Sequence, residues 1–259
     1  MQDLTITLFQ SDLAWEDIDT NIAAFEEKIS RLSGRRDLII LPEMFPTGFS
    51  MNAVSLAETM GGTTVKWLTD TARHHQVNIT GSMIITEDNR YFNRLIWARP
   101  DGELLTCDKR HLFRYADEHK TYTAGNRYLT ISLNGWQIRP FICYDLRFPV
   151  WTRNVGNSYD LAIFIANWPQ ARAAHWKALL TARAIENQSF VIGVNRVGTD
   201  GNGLEYSGNS CVIDPTGRVL FQAAYQETVH TFRLSYNDLD AYRGSFPALK
   251  DADRFRIEI

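Results

Sequence analysis

Three cysteines in 259 residues, at positions 107, 143 and 211, are too few and too scattered for a disulfide framework or a metal-binding knuckle. A chain of this kind belongs in a reducing, cytoplasmic compartment. Basic charge is also missing. The formal net charge is −3 and the pI about 6.1, so no electrostatic footprint marks a nucleic-acid or anionic-membrane partner. Long apolar runs are absent too, and Leu161–Ala166 is far too short to span a bilayer. The first residues, Met1-Gln2-Asp3-Leu4, lack the basic and apolar regions of a signal peptide. No stretch has linker composition and no internal repeat emerges. One domain over 1–259 is expected, with a large core supported by the 44% of residues that are apolar.

What is present is patterned. Leu4 to Gln10 alternates as a strand does. Ile18, Ile22, Phe25, Ile29 and Leu32 recur at helical spacing and predict an amphipathic helix over Asp17 to Leu32. Asp37 to Pro42 reads as a short buried strand, Thr63 to His75 as a second helix and Asn78 to Ile85 as a further strand. The middle is β-rich: Phe92 to Ala98, Leu104 to Lys109, and two strands around the hairpin dipeptide Asn134-Gly135. A strand over Leu161 to Ala166, a helix from about Ala173 to Asn187, a strand over Phe190 to Asn195 and a hairpin around Asp214-Pro215-Thr216-Gly217 follow. The tail after Leu234 reads as looser. Alternating strands and helices with mixed connections predict an α/β fold of two packed sheets between helix layers.

The stretch Arg139 to Pro149 concentrates the chemistry. An apolar strand ends at Cys143, polar residues and a proline follow at once, and Val150 to Asn154 is predicted to open a helix. A side chain at such a junction faces the crevice at a sheet end, and the backbone N–H of Tyr144 can point into the same space. Glu43 and Lys109 likewise terminate apolar β-segments. Together they make chemical sense. A thiolate is favoured by a nearby cation, a carboxylate can take the thiol proton, and an ammonium can hold a developing oxyanion. Singly, each has a structural alternative. Cys143 can be a small buried hydrophobe, Glu43 a cap or ion-pair partner, and Lys109 one of the basic run Lys109-Arg110-His111. Cys107 competes as a nucleophile because it shares a strand face with Lys109, but it lies mid-strand with no following turn.

Leu41-Pro42-Glu43, Asp108-Lys109-Arg110-His111-Leu112 and Cys143-Tyr144-Asp145-Leu146-Arg147-Phe148-Pro149 stand in the order and at the distances of three motifs. By these the chain resembles the nitrilase, or carbon–nitrogen hydrolase, superfamily. Asn195 to Gly198 and Gly208 to Gly217 extend the likeness. The resemblance implies a four-layer αββα sandwich, dimers paired through helices, a Glu43-Lys109-Cys143 triad, and no cofactor or metal. It also implies that Glu118 is a second glutamate near the nucleophile. Many relatives carry Glu where this chain has Val150, which leaves Arg147 to find its partner elsewhere. Asn167 to Arg172, His175-Trp176 and Ala182 to Gln188 are similar to the omega-amidase group. That similarity implies a small ω-amide of a 2-oxo acid as substrate, with Trp168 walling the acyl pocket and Arg172 forking onto a carboxylate. His175 and Trp176 are expected to be packing residues, and Arg183 with Glu186 a structural ion pair. A nitrile substrate, a broader aliphatic amidase, or a non-catalytic member that binds a metabolite or protein are the alternatives.

Overall fold

The computed structural model describes residues 2–253 and 255–258. Its first half lays down β1 (Leu4–Gln10), β2 (Leu38–Ile40), β3 (Asn78–Glu87), β4 (Arg90–Ala98) and β5 (Leu104–Asp108). The second half supplies β6 (Ile131–Leu133), β7 (Trp136–Ile142), β8 (Leu161–Ala166), β9 (Phe190–Asn195), β10 (Val197–Thr199), β11 (Glu205–Ile213) and β12 (Val219–Ala224). A last strand, β13 (Thr228–Leu234), returns to the first half.

Two mixed sheets result. One runs β13-β1-β2-β3-β4-β5. The other runs β10-β11-β9-β8-β7-β6, with β12 along the remaining side of β11. Each has three parallel strands at its centre, β1-β2-β3 and β7-β8-β9. Period-two alternation builds the layers. Leu4, Ile6, Leu8, Leu38 and Ile40 point between the sheets, where they meet Ile138, Ile163 and Ile165. Phe9 and Ile39 point the other way, onto Phe25 and Ile29 of the helix Ile18–Ser30 and Val65 and Leu68 of the helix Thr63–His75. On the opposite flank the helix Ala173–Asn187 lays Trp176, Leu180 and Ala184 on the second sheet. The expected αββα order is therefore present.

Local departures have local causes. The helix expected after Pro149 is a single turn, Pro149–Thr152, because Arg153 turns extended and Asn154 bonds across to Asn187 and Tyr159. The tail is not loose after Leu234. A helix, Tyr236–Ser245, starts where Ser235 accepts a hydrogen bond from the Asp238 N–H. Among the described residues no helix is long and apolar enough to cross a membrane.

Candidate active site

The parallel strands deliver the site. β2 and β7 end at the same side of the sandwich, and the residues just past them face each other across it. Cys143 is the hinge of the second turn. Its φ is +44°, in the left-handed region that a residue with a Cβ enters only at a cost of roughly 1–3 kcal/mol. The surroundings hold it there. Asp145 Oδ2 accepts from the Ile142 N–H at 3.1 Å, and Asp145 Oδ1 accepts from the His111 N–H at 3.0 Å and lies 2.8 Å from His111 Nδ1. The His111 ring stacks on Phe148 at 3.7 Å. Arg183 donates to the Leu146 carbonyl at 2.6 Å and pairs with Glu186 at 2.8 Å, as expected. Tyr144 is the second residue of the 3₁₀ turn Cys143–Arg147, so its N–H has no partner within that turn.

Glu43, Lys109 and Glu118 form one buried cluster beside Cys143. Lys109 Nζ donates to Glu43 Oε1 at 2.8 Å and to Glu118 Oε1 at 3.0 Å. Two of its three protons are thus engaged and one is left over. Glu43 Oε1 also accepts from Asn93 Nδ2 at 2.9 Å, and Oε2 from the Asn167 N–H at 2.7 Å. Glu118 Oε2 accepts from the Phe113 N–H at 2.5 Å. Glu118 is fully buried, its side chain 0% exposed. Asn93 and Asn167 were not singled out from sequence. A lone amide inside the apolar strand Phe92 to Ala98 was the legible signal for Asn93.

The cluster is electrostatically tuned. Burial works against the Lys109 charge, but the fields of Glu118 and Glu43 outweigh it and keep the ammonium protonated well beyond its ordinary range. Burial raises the Glu118 carboxyl, and Glu43 adds to the rise, against the pull of Lys109 and the Phe113 N–H. The Cys143 thiol is pushed well above its usual value by burial and by Glu43, more than Lys109 pulls it back. Two carboxylates and burial together outweigh the one ammonium at Cys143.

Above this floor lies an open cavity of about 670 Å³. Lys109, Cys143, Tyr144, Asn167, Trp168 and Arg172 all line it, and so does Arg147. Trp168 is buried, donates Nε1–H to the Arg172 carbonyl at 2.8 Å and packs on Trp176. Arg147 finds its partner in His175, at 2.9 Å from Nδ1, and in the Trp168 face at 5.0 Å. That pairing corrects the packing role expected for His175, which is exposed, while Trp176 is fully buried as expected. Among the described residues neither Arg147 nor Arg172 makes an ion pair with a carboxylate.

Comparisons with known proteins agree with this architecture. The family profile described as Carbon-nitrogen hydrolase matches residues 5–244. The chain is 48% identical to Omega-amidase YafV of Escherichia coli (strain K12), over 99% of this chain and 100% of that one. It is 35% identical to the 2-oxoglutaramate amidase of Bacillus subtilis (strain 168), over 95% and 96% of the two chains. The crystal structure of XC1258 from Xanthomonas campestris, a CN-hydrolase superfamily protein with an arsenic adduct in the active site, superposes with a TM-score of 0.98 at 46% identity, covering 100% of both chains.

Proposed function

The chain belongs to the carbon–nitrogen hydrolase family, and we propose that within it the chain acts as an omega-amidase, cleaving the terminal amide of small 2-oxo dicarboxylate monoamides to the acid and ammonia. The observation that carries this reading is one cavity whose floor holds Cys143 beside a Glu43–Lys109–Glu118 cluster and whose wall holds two arginines with no acid partner.

The chemistry follows from the geometry. Glu43 Oε2 keeps acceptor capacity after the Asn167 bond, and takes the Cys143 proton as sulfur attacks the amide carbon. The third Lys109 proton and the Tyr144 N–H receive the oxyanion. Glu43 returns the proton to nitrogen, the C–N bond breaks, and ammonia leaves a thioester. Water, positioned by Glu118, then gives a proton to Glu43 and hydroxide to the acyl carbon. The C–S bond breaks and the proton goes back to sulfur. A thiol that is protonated at rest suits this cycle, because Glu43 must be free as a base when substrate arrives. Trp168 walls the acyl chain, and Arg172 forks onto the distal carboxylate, with Arg147 as the neighbouring cation. The same reading takes residues 1–259 as one domain, working as a homodimer in the cytoplasm.

The test is ammonia release by purified protein from 2-oxoglutaramate, 2-oxosuccinamate and succinamate, against butyramide and butyronitrile, with Cys143→Ala as control. The ω-amides should win by about one to two orders of magnitude in kcat/KM, the worth of a charge-assisted hydrogen bond. Cys143→Ala should be inactive. Faster turnover of the nitrile or the neutral amide overturns the omega-amidase reading.

A further inference from the structure

Arg172 is held in the cavity by aromatic rings. Its guanidinium carbon lies 5.4 Å from the centre of the Phe113 ring and 5.9 Å from that of Tyr115, and the two rings are 5.7 Å apart and tilted by 40°. Among the described residues its side chain donates no hydrogen bond and makes no ion pair; only its backbone is engaged, by Pro169 and Trp168. Arg147 differs, because one of its donors is spent on His175. The distinction matters chemically. A carboxylate partner would restrain a guanidinium but would neutralise it and occupy its fork. Ring faces restrain it through the quadrupole and leave all five N–H donors available. Tyr115 is 85% exposed, so packing of the core does not account for a large ring at that place.

Resting on the omega-amidase reading, we propose that Phe113 and Tyr115 are specificity-determining residues: their rings seat the Arg172 guanidinium with its donors free for the distal carboxylate of the substrate. They act through Arg172 and are positioning residues. Phe113 stands at both ends of this arrangement, since its ring meets Arg172 and its N–H holds Glu118. The exposed member, Tyr115, gives the clean test because its removal leaves the buried cluster untouched.

The experiment measures the ratio of kcat/KM for succinamate to that for butyramide. Tyr115→Ala should lower the ratio about two- to fivefold, the worth of an exposed cation–π contact, with the loss carried by KM for succinamate. Tyr115→Phe, which keeps the ring and loses the hydroxyl, should retain the wild-type ratio. In an Arg172→Ala background, Tyr115→Ala should change the ratio no further, because the group it seats is gone. A wild-type ratio in Tyr115→Ala overturns the proposal. So does a Tyr115→Phe ratio as low as that of Ala, or full additivity with Arg172→Ala. Failure of the omega-amidase reading itself looks different: the wild-type ratio then falls below one, and the arginine seat falls with it.

Discussion

Glu43 and Glu118 share the donors of one lysine. Burial raises the Glu118 carboxyl, and the charge of Glu43 beside it adds to the rise. As pH falls from neutrality, Glu118 therefore takes up its proton above the ordinary carboxylate range, and kcat/KM should decline there as the charge beside Lys109 is lost. Glu118→Gln removes one negative charge and leaves Lys109 more fully to Glu43. The group raised by burial is then gone, so the acid limb it sets in the kcat/KM profile should disappear even as the plateau drops. A limb that stays put would show that Glu118 is not the group that sets it. The cysteines do not confuse this reading. Burial pushes Cys211 up to about 12 and lifts Cys107 as well, so neither titrates in the range of the acid limb.

At the scale of elements, the helix Ala173–Asn187 is seated by a missing side chain. Gly193 lies in β9 beneath it, and a Cβ there would come within 2.5 Å of Leu180 Cδ1 and 2.8 Å of Trp176 Cζ2. Leucine can rotate away, but the indole, bonded through Nε1 to the Asn209 carbonyl, cannot. Gly193→Ala should thus destabilise by about 1–3 kcal/mol, the usual cost of overpacking, read from denaturant midpoints at unchanged m-value. Elements of this kind were legible where burial imposes a period. Ile18, Ile22, Phe25 and Ile29 announce their helix because one face must meet the sheet. Asn134-Gly135 announces its hairpin because both residues take positive φ, 52° and 91°. The helix Tyr236–Ser245 gave little sign, since Leu239 alone is buried in it. β13 is a sheet-edge strand of half-exposed Thr, His and Arg residues, whose weak alternation hid it. The site divides the same way. Glu43, Lys109 and Cys143 sit at ends of apolar strands and could be picked out locally, whereas Glu118 was named through the family motif. Asn93, Asn167 and the Arg147–His175 contact depend on residues brought together from distant strands and loops.

At the scale of the whole molecule, segments that carry four exposed apolar side chains meet near the end of the helix Ala173–Asn187. Ile185 is 50% exposed and abuts the turn at Gly217, close to Val219. Phe246 is 59% exposed, and its carbonyl accepts from Gln188 Nε2 at 2.6 Å, just past the helix end. Val155 belongs to the turn Val155–Asn157, which packs on the turn Ala248–Asp251 that follows Phe246. Single exposed apolar residues are ordinary, but a cluster drawn from four segments marks a surface meant to be covered. If the proposed homodimer forms through this face, a two-fold axis would set each of its residues against the same face of a second copy. A stable interface of this kind buries about 1,600 Å² in total. Light scattering on the purified protein should therefore give twice the chain mass. Ile185→Glu, which places two like charges close to the axis, should give monomers whose circular dichroism is unchanged. A wild-type protein that stays monomeric at every concentration, or an Ile185→Glu protein that stays dimeric, would remove this patch as the dimer surface without touching the assignment of the Glu43–Lys109–Cys143 site.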